Sequence, residues 1–139
     1  MPKTAEVRVT VPGRWQPERK RQRRQGAWTR RVDVEEAVDA KQRIGVFARQ
    51  QYDGPPLNEP LSVTFIWRKC KPKGYRKAEN WPWKRPDLTN LEKLAEDALQ
   101  DVAIIADDSI ICEKHTIKEF ADREELEIVL RPLCDDWPY

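Results

Sequence analysis

Histidine is almost missing from this chain, with His115 the only one in 139 residues. That excludes multi-histidine zinc sites and leaves a Ser-His hydrolase without the partners a lone histidine needs. Cysteine is scarce as well. Cys70, Cys112 and Cys134 are odd in number, far apart and without a C-x-x-C pair. A disulfide frame or zinc site is therefore not expected, and the three read as reduced thiols in a cytoplasmic compartment. No apolar run approaches the ~18 residues of a transmembrane helix, and the N-terminus has no signal-peptide apolar region. Both absences argue against a spanning or secreted protein. What remains is one ordinary domain, expected over residues 1–139, with a hydrophobic fraction of 39% that suffices for a modest core. Charge is abundant: 36% of residues are charged, against roughly 25% in a typical soluble domain.

The net charge of +2 conceals a segregation. Residues 14–31 carry eight basic side chains against Glu18, and residues 68–85 carry eight against Glu79, so each segment is +7 and the remainder is −12. Two basic clusters on an otherwise acidic chain suggest a polyanion surface on one part of the molecule, although solvated loops have the same composition. Aromatics shift the balance between these readings. Trp15, Trp28, Trp67, Tyr75, Trp81 and Trp83 lie in or beside the clusters, and interleaved Arg and Trp neutralise phosphates and stack on bases. Nucleic acid is the leading partner. The expected contacts are Arg19, Lys20, Arg21, Arg23 and Arg24 in the first loop (about 14–31). In the second (about 68–86) they are Lys71, Lys73, Arg76, Lys77, Trp81, Trp83, Lys84 and Arg85.

The apolar pattern predicts an α+β domain, a mixed β-sheet with two main helices packed on it. Val7, Val9 and Val11 alternate with polar residues, which predicts a strand over 5–11. A short strand is expected at Trp28–Val32. Ala37, Ala40, Ile44, Phe47 and Ala48 share one face of a helix from Val34 to about Tyr52, weakened by roughly 1 kcal/mol at Gly45. Leu61, Val63, Phe65 and Trp67 predict a second strand, followed by a long loop over 71–86. Leu91, Leu94, Ala95, Ala98 and Leu99 predict a helix over 89–100, with Thr89 and Glu92 spaced as a capping box. A short strand at Val102–Ile105, a strand from Ile110 to about Phe120 and one over Leu126–Leu130 complete the pattern. The tail, about 132–139, has no assignment.

Chemistry concentrates in Arg85–Leu99 and Ala106–Ser109. On a helical wheel Thr89, Asn90, Lys93 and Asp97 share an arc of about 100° beside the apolar face. Asp87 stands just ahead of the helix, and Asp107 and Asp108 follow it. If the returning chain brings Asp87, Asp97, Asp107 and Asp108 together, their oxygens suit Mg²⁺, a hard cation that keeps several waters. Each piece also has a plainer account. Asp87 can serve the helix dipole, Lys93 and Asp97 can form an exposed pair, and Asp107–Ser109 can be turn chemistry. Carboxylates beside a polyanion surface nevertheless repel DNA unless a cation bridges the two, and metal-assisted phosphodiester hydrolysis gives that juxtaposition a reason.

Taken together, Pro86-Asp87-Leu88-Thr89-Asn90, Lys93, Asp97-Ala98-Leu99 and Asp107-Asp108-Ser109-Ile110-Ile111 resemble the signature of the RusA family of Holliday junction resolvases, common in phages and prophages. Val9-Thr10-Val11-Pro12-Gly13, followed by a basic stretch, is similar to that family's opening strand and loop. The likeness covers residues 5 to 131. It implies a bacterial, phage- or prophage-encoded, cytoplasmic homodimer that nicks opposed strands of a four-way junction with Mg²⁺, or Mn²⁺ in its place. By the same resemblance Asp87 and Asp108 match metal-binding acids and Lys93 the catalytic lysine, while Asp97 and Asp107 are further acids and Thr89 and Asn90 supporting residues. One departure stands out: Thr89 occupies the position where the signature has a second acid. The alternative is therefore a branched-DNA binder on the same fold with weak or no cleavage. A nuclease preferring flaps or forks is a third reading.

Overall fold

Alternation of apolar and polar residues is what makes the four strands, and it also decides which of their faces is covered. In the computed structural model, which describes residues 6–14 and 40–133, β1 is Val7–Pro12, β2 Leu61–Lys69, β3 Ile111–Phe120 and β4 Glu125–Pro132. Helix α1 is described over residues 40–51, and α2 is Leu88–Asp101. The sheet order is β1-β4-β2-β3. β4 runs antiparallel to both neighbours, and β2 and β3 are parallel, joined through α2. The expected mixed α+β architecture is the one observed. The expected strand at 28–32 and Ala37 lie outside the described residues.

The core forms between one sheet face and the two helices. Val9 and Val11, Leu61, Val63, Phe65 and Trp67, and Leu126, Ile128 and Leu130 come from β1, β2 and β4. They meet Ile44 and Ala48 of α1 and Leu91, Ala95, Ala98 and Leu99 of α2. β3 contributes no buried residue. It is an edge strand with charged side chains on both faces, which is how natural sheets discourage edge pairing. Its partner faces differ: Lys114 and Lys118 point toward the helical side, and Glu113 and His115 toward the open one, where Glu113 accepts from Ser62 at 2.7 Å and meets His115 at 3.3 Å.

Three expectations are corrected. Trp67 lies in the core, 1% exposed, so it belongs to packing and not to a base-stacking surface. Val102–Ile105 is not a strand. The chain leaves α2 through a turn in which Ala103 has φ +58°, then makes one parallel bridge, Ile105 to Leu57. The N-cap of α2 is Asp87, not Thr89: Asp87 Oδ1 accepts the Asn90 N–H at 3.1 Å. The helix starts two residues earlier than the capping-box spacing implied, and Thr89 falls in its first turn.

Gly45 has a use that propensity alone hides. A Cβ there would stand 2.8 Å from Val102 Cγ1, so glycine lets α1 approach the end of α2. Overpacking costs about 1–3 kcal/mol, whereas Gly→Ala in a helix gains up to ~1 kcal/mol. Gly45→Ala is therefore expected to lower stability by about 1 kcal/mol, read as a fall in the thermal midpoint. An unchanged or raised midpoint would show that the two helices can move apart freely.

Candidate functional site

The second basic segment leaves β2 at Lys69 and returns to α2 at Asp87. It is organised, contrary to the structureless loop expected from its composition. The Tyr75 ring packs edge-on against Phe120 of β3, with centroids 5.0 Å apart, and against Trp83 at 6.5 Å. The Tyr75 hydroxyl accepts the Lys84 N–H at 3.1 Å. Lys84 Nζ lies 4.6 Å above the Tyr75 ring and donates to the Gly74 carbonyl at 2.8 Å. Lys71 Nζ closes the far side through the Lys77 carbonyl at 3.0 Å. Aromatic edges and cation–π contacts thus replace the core that a polar loop lacks.

This packing sorts the expected nucleic-acid residues. Lys71 and Lys84 hold the loop. Lys73, Arg76, Lys77 and Arg85 are exposed, and Arg76 also lies 3.7 Å from Glu79. Trp81 and Trp83 are 62% and 66% exposed, so both indoles have surface for a stacking partner. Among the described residues, Trp83 and not Trp81 is also oriented by ring and lysine contacts. Arg68, counted in the basic segment, is spent elsewhere: it bridges Glu119, Glu125 and Glu127 on the open face of the sheet at 2.7–2.9 Å. Arg19, Lys20, Arg21, Arg23 and Arg24 lie outside the described residues, as do Trp15 and Trp28.

The acids occupy two places. Asp87 caps the start of α2, and its backbone carbonyl accepts the Leu91 N–H at 3.2 Å. Thr89, Asn90 and Lys93 are exposed on the first two turns, and Asp97 is half-buried one turn further on. Among the described residues Lys93 and Asp97 form no ion pair, with each other or elsewhere, so the plain surface-pair account of them is not what the structure contains.

Asp107 and Asp108 sit beyond the other end of the helix. Asp107 caps the single 3-10 turn Asp108–Ile110. Hydrogen bonds from the Ser109 hydroxyl and backbone N–H hold its carboxyl below the usual range. The Asp108 N–H donates to Gln100 Oε1 at 3.2 Å. Asp108 lines a groove of about 300 Å³ with Glu96, Ile111, Cys112, Glu113 and Lys114. Lys114 reaches from β3 to Glu96 at 2.9 Å and Glu92 at 3.9 Å, and the Glu96 hydrogen bond raises its pKa.

Convergence of all four aspartates is not observed. A 14-residue helix is about 21 Å long, and Asp87 and Asp108 stand at its opposite ends. The reason is topological: β3 is parallel to β2, so the chain must traverse the sheet along α2 before β3 begins. Among the described residues no three Asp, Glu, His or Cys side chains gather at one point to hold an ion. The donor chemistry nonetheless fits Mg²⁺ in its usual protein mode, which takes one or two carboxylates and completes its shell with water and substrate phosphates. Asp87 offers one such carboxylate, and Asp107–Asp108 offer two.

Two lysines escaped sequence reasoning. Lys118 donates to the carbonyls of Lys84 at 3.0 Å and Pro86 at 2.9 Å, immediately before Asp87. Burial lowers its pKa, with the Asp87 charge acting in the opposite direction and Lys69 adding to the lowering. Lys114 is the other. For Lys114 the available signal was the acid pair Glu92 and Glu96 at helical i,i+4 spacing, whereas Lys118, bonded to carbonyls, had none. No helix among the described residues is long and apolar enough to cross a membrane.

The family described as Endodeoxyribonuclease RusA matches the chain over residues 12–131. No curated protein matches it.

Proposed function

Because the chain belongs to the RusA endodeoxyribonuclease family, we propose that it is a structure-selective DNA endonuclease that resolves four-way junctions by paired, Mg²⁺-dependent nicking. The observation that carries this reading is a juxtaposition. The exposed Asp87–Lys93 arc of α2 begins where a positively charged, tryptophan-bearing loop ends, so a phosphate backbone drawn to the loop passes the acids.

In this reading the loop residues Lys73, Arg76, Lys77 and Arg85 take backbone phosphates, contacts that position DNA without reading its sequence. Trp83, held by Tyr75 and Lys84, stacks on a base splayed at the crossover, with Trp81 beside it. Asp87 at the start of α2, or Asp107 with Asp108 beyond its end, would hold the ion, and Asp97 would add charge between them. Bound Mg²⁺ supplies Lewis-acid polarisation of a phosphoryl oxygen and a nucleophile at neutral pH. Lys93 places an ammonium where negative charge grows on the phosphoryl oxygens. Two equivalent scissile strands fit a two-fold homodimer, whose interface type is the commonest.

The test is a Mg²⁺-titrated nicking assay on a four-way junction, with Mn²⁺ as a second ion and flap and fork substrates in parallel. Junction nicking that requires the ion supports the proposal, and preference for flaps or forks replaces the substrate class. Lys93→Ala should lower the cleavage rate on the order of a hundredfold while junction affinity changes less than about threefold. Equal losses in both would make Lys93 a phosphate contact. A second reading, a branched-DNA binder with little or no cleavage, is favoured by two specific observations. Thr89 replaces the signature's acid, and the described carboxylates form no three-ligand set. Tight junction binding without nicking at any Mg²⁺ concentration would select it.

A further inference from the structure

We propose that Lys118 is the positioning residue of the cleavage site, an ammonium on edge strand β3 that fixes where Asp87 stands; this rests on the nuclease reading above. Helix α2 enters from a loop that has no strand or helix of its own, so the place of its cap residue must be set by contacts made just upstream. Lys118 makes them. Its ammonium donates to the carbonyls of Lys84 and Pro86, at 3.0 and 2.9 Å. Those two carbonyls bracket Arg85 and end one peptide before Asp87. Phe120, two residues along β3 on the same face, meets Tyr75 of the same loop at 5.0 Å. One strand therefore grips the loop twice, once by an aromatic contact and once by a charge.

The choice of a lysine is informative. Two carbonyls need a donor, and any amide or hydroxyl of suitable reach would serve them. An ammonium also brings a charge within electrostatic reach of Asp87, and being half-buried it acts through less solvent than a surface lysine. That charge offsets part of the repulsion between the Asp87 side chain and a polyanion. Lys118 has no acid within ion-pair distance among the described residues. It faces Asp87 from the loop side and Lys69 from the neighbouring strand.

Lys118→Met keeps the aliphatic stem and removes both donors and charge, and Lys118→Arg keeps donors and charge. Amide hydrogen exchange, measured without metal, reads the placement directly. In Lys118→Met the Asn90 and Leu91 amides, which bond to Asp87, should exchange about tenfold faster, with Lys118→Arg close to wild type. Core amides of β2 and β4 serve as the internal control for general destabilisation. On the junction, Lys118→Met should lose about tenfold or more in single-turnover cleavage with affinity within about twofold, and Lys118→Arg should recover most of the rate. Unchanged exchange at Asn90 and Leu91 overturns the proposal, and so does wild-type cleavage by Lys118→Met. If the wild-type chain itself does not nick junctions, the nuclease reading fails. The exchange measurement then still decides whether Lys118 fixes Asp87.

Discussion

Asp87→Asn is expected to leave the fold nearly as stable as wild type while reducing Mg²⁺-dependent nicking by about a hundredfold or more. The separation follows from the two jobs of one side chain. As N-cap, Asp87 accepts the Asn90 N–H through Oδ1, and asparagine caps about as well as aspartate, so the helix keeps its first bond. What is lost is a negative charge at the positive end of α2, worth roughly 0.3–1 kcal/mol at an exposed site. Asp87→Ala removes the cap too and should cost about 1 kcal/mol, which makes it the worse probe of chemistry. Asp108→Asn is the companion measurement. Asp108 is exposed and its contact to Gln100 runs through its backbone N–H, so folding is again preserved. Loss of nicking in both variants would place both ends of α2 in the reaction. Loss in one alone would identify which end holds the ion, and full activity in both would remove the aspartates from the mechanism. Thermal unfolding and junction affinity in EDTA are the controls.

Local pattern was a good guide wherever a single element buries one face. The 3.6-residue spacing of Leu91, Ala95, Ala98 and Leu99 and the alternation of β2 and β4 reappear as the core, because burial of a periodic face is decided within the element itself. Long-range contacts left weaker traces. Tyr75 and Phe120 are 45 residues apart in the chain, and nothing in either neighbourhood announces that they meet, so the loop between β2 and α2 read as structureless. The same holds for Lys118, whose partners are carbonyls and carry no sequence signal at all. The aspartates failed in the opposite way. Their residue types and spacing were legible, but the distance between Asp87 and Asp108 depends on β3 being parallel to β2, a property of the sheet that neither motif contains.

Arg68 is a case where composition misleads, and its replacement is expected to have the largest effect on stability. Counted among the basic residues near the loop, it instead joins three strands at one end of the sheet. From β2 it contacts Glu119 of β3 at 2.8 Å and, on β4, Glu125 at 2.7 Å and Glu127 at 2.9 Å. Its pKa is raised, first by the Glu119 hydrogen bond. An arginine raised above its ordinary value stays charged throughout the accessible range, so Arg68 itself does not titrate between acid and neutral pH. Arg68→Met removes the charge from among three carboxylates. Glu125 keeps Arg123 at 2.8 Å and Glu127 keeps Arg8 at 3.1 Å, which limits the damage. Because the Glu125 side chain is 8% exposed, the expected loss at pH 7 is still about 3 kcal/mol, toward the lower end for breaking a buried pair. The pH dependence gives the sign of the cause. In the variant, mutual repulsion favours protonation of these glutamates in the folded state, so folding takes up protons as pH falls through the carboxylate range. The deficit relative to wild type should therefore shrink between pH 7 and about pH 4. Urea unfolding at the two pH values measures it. A deficit of equal size at both would assign the effect of Arg68 to packing of its stem against the sheet and not to its charge.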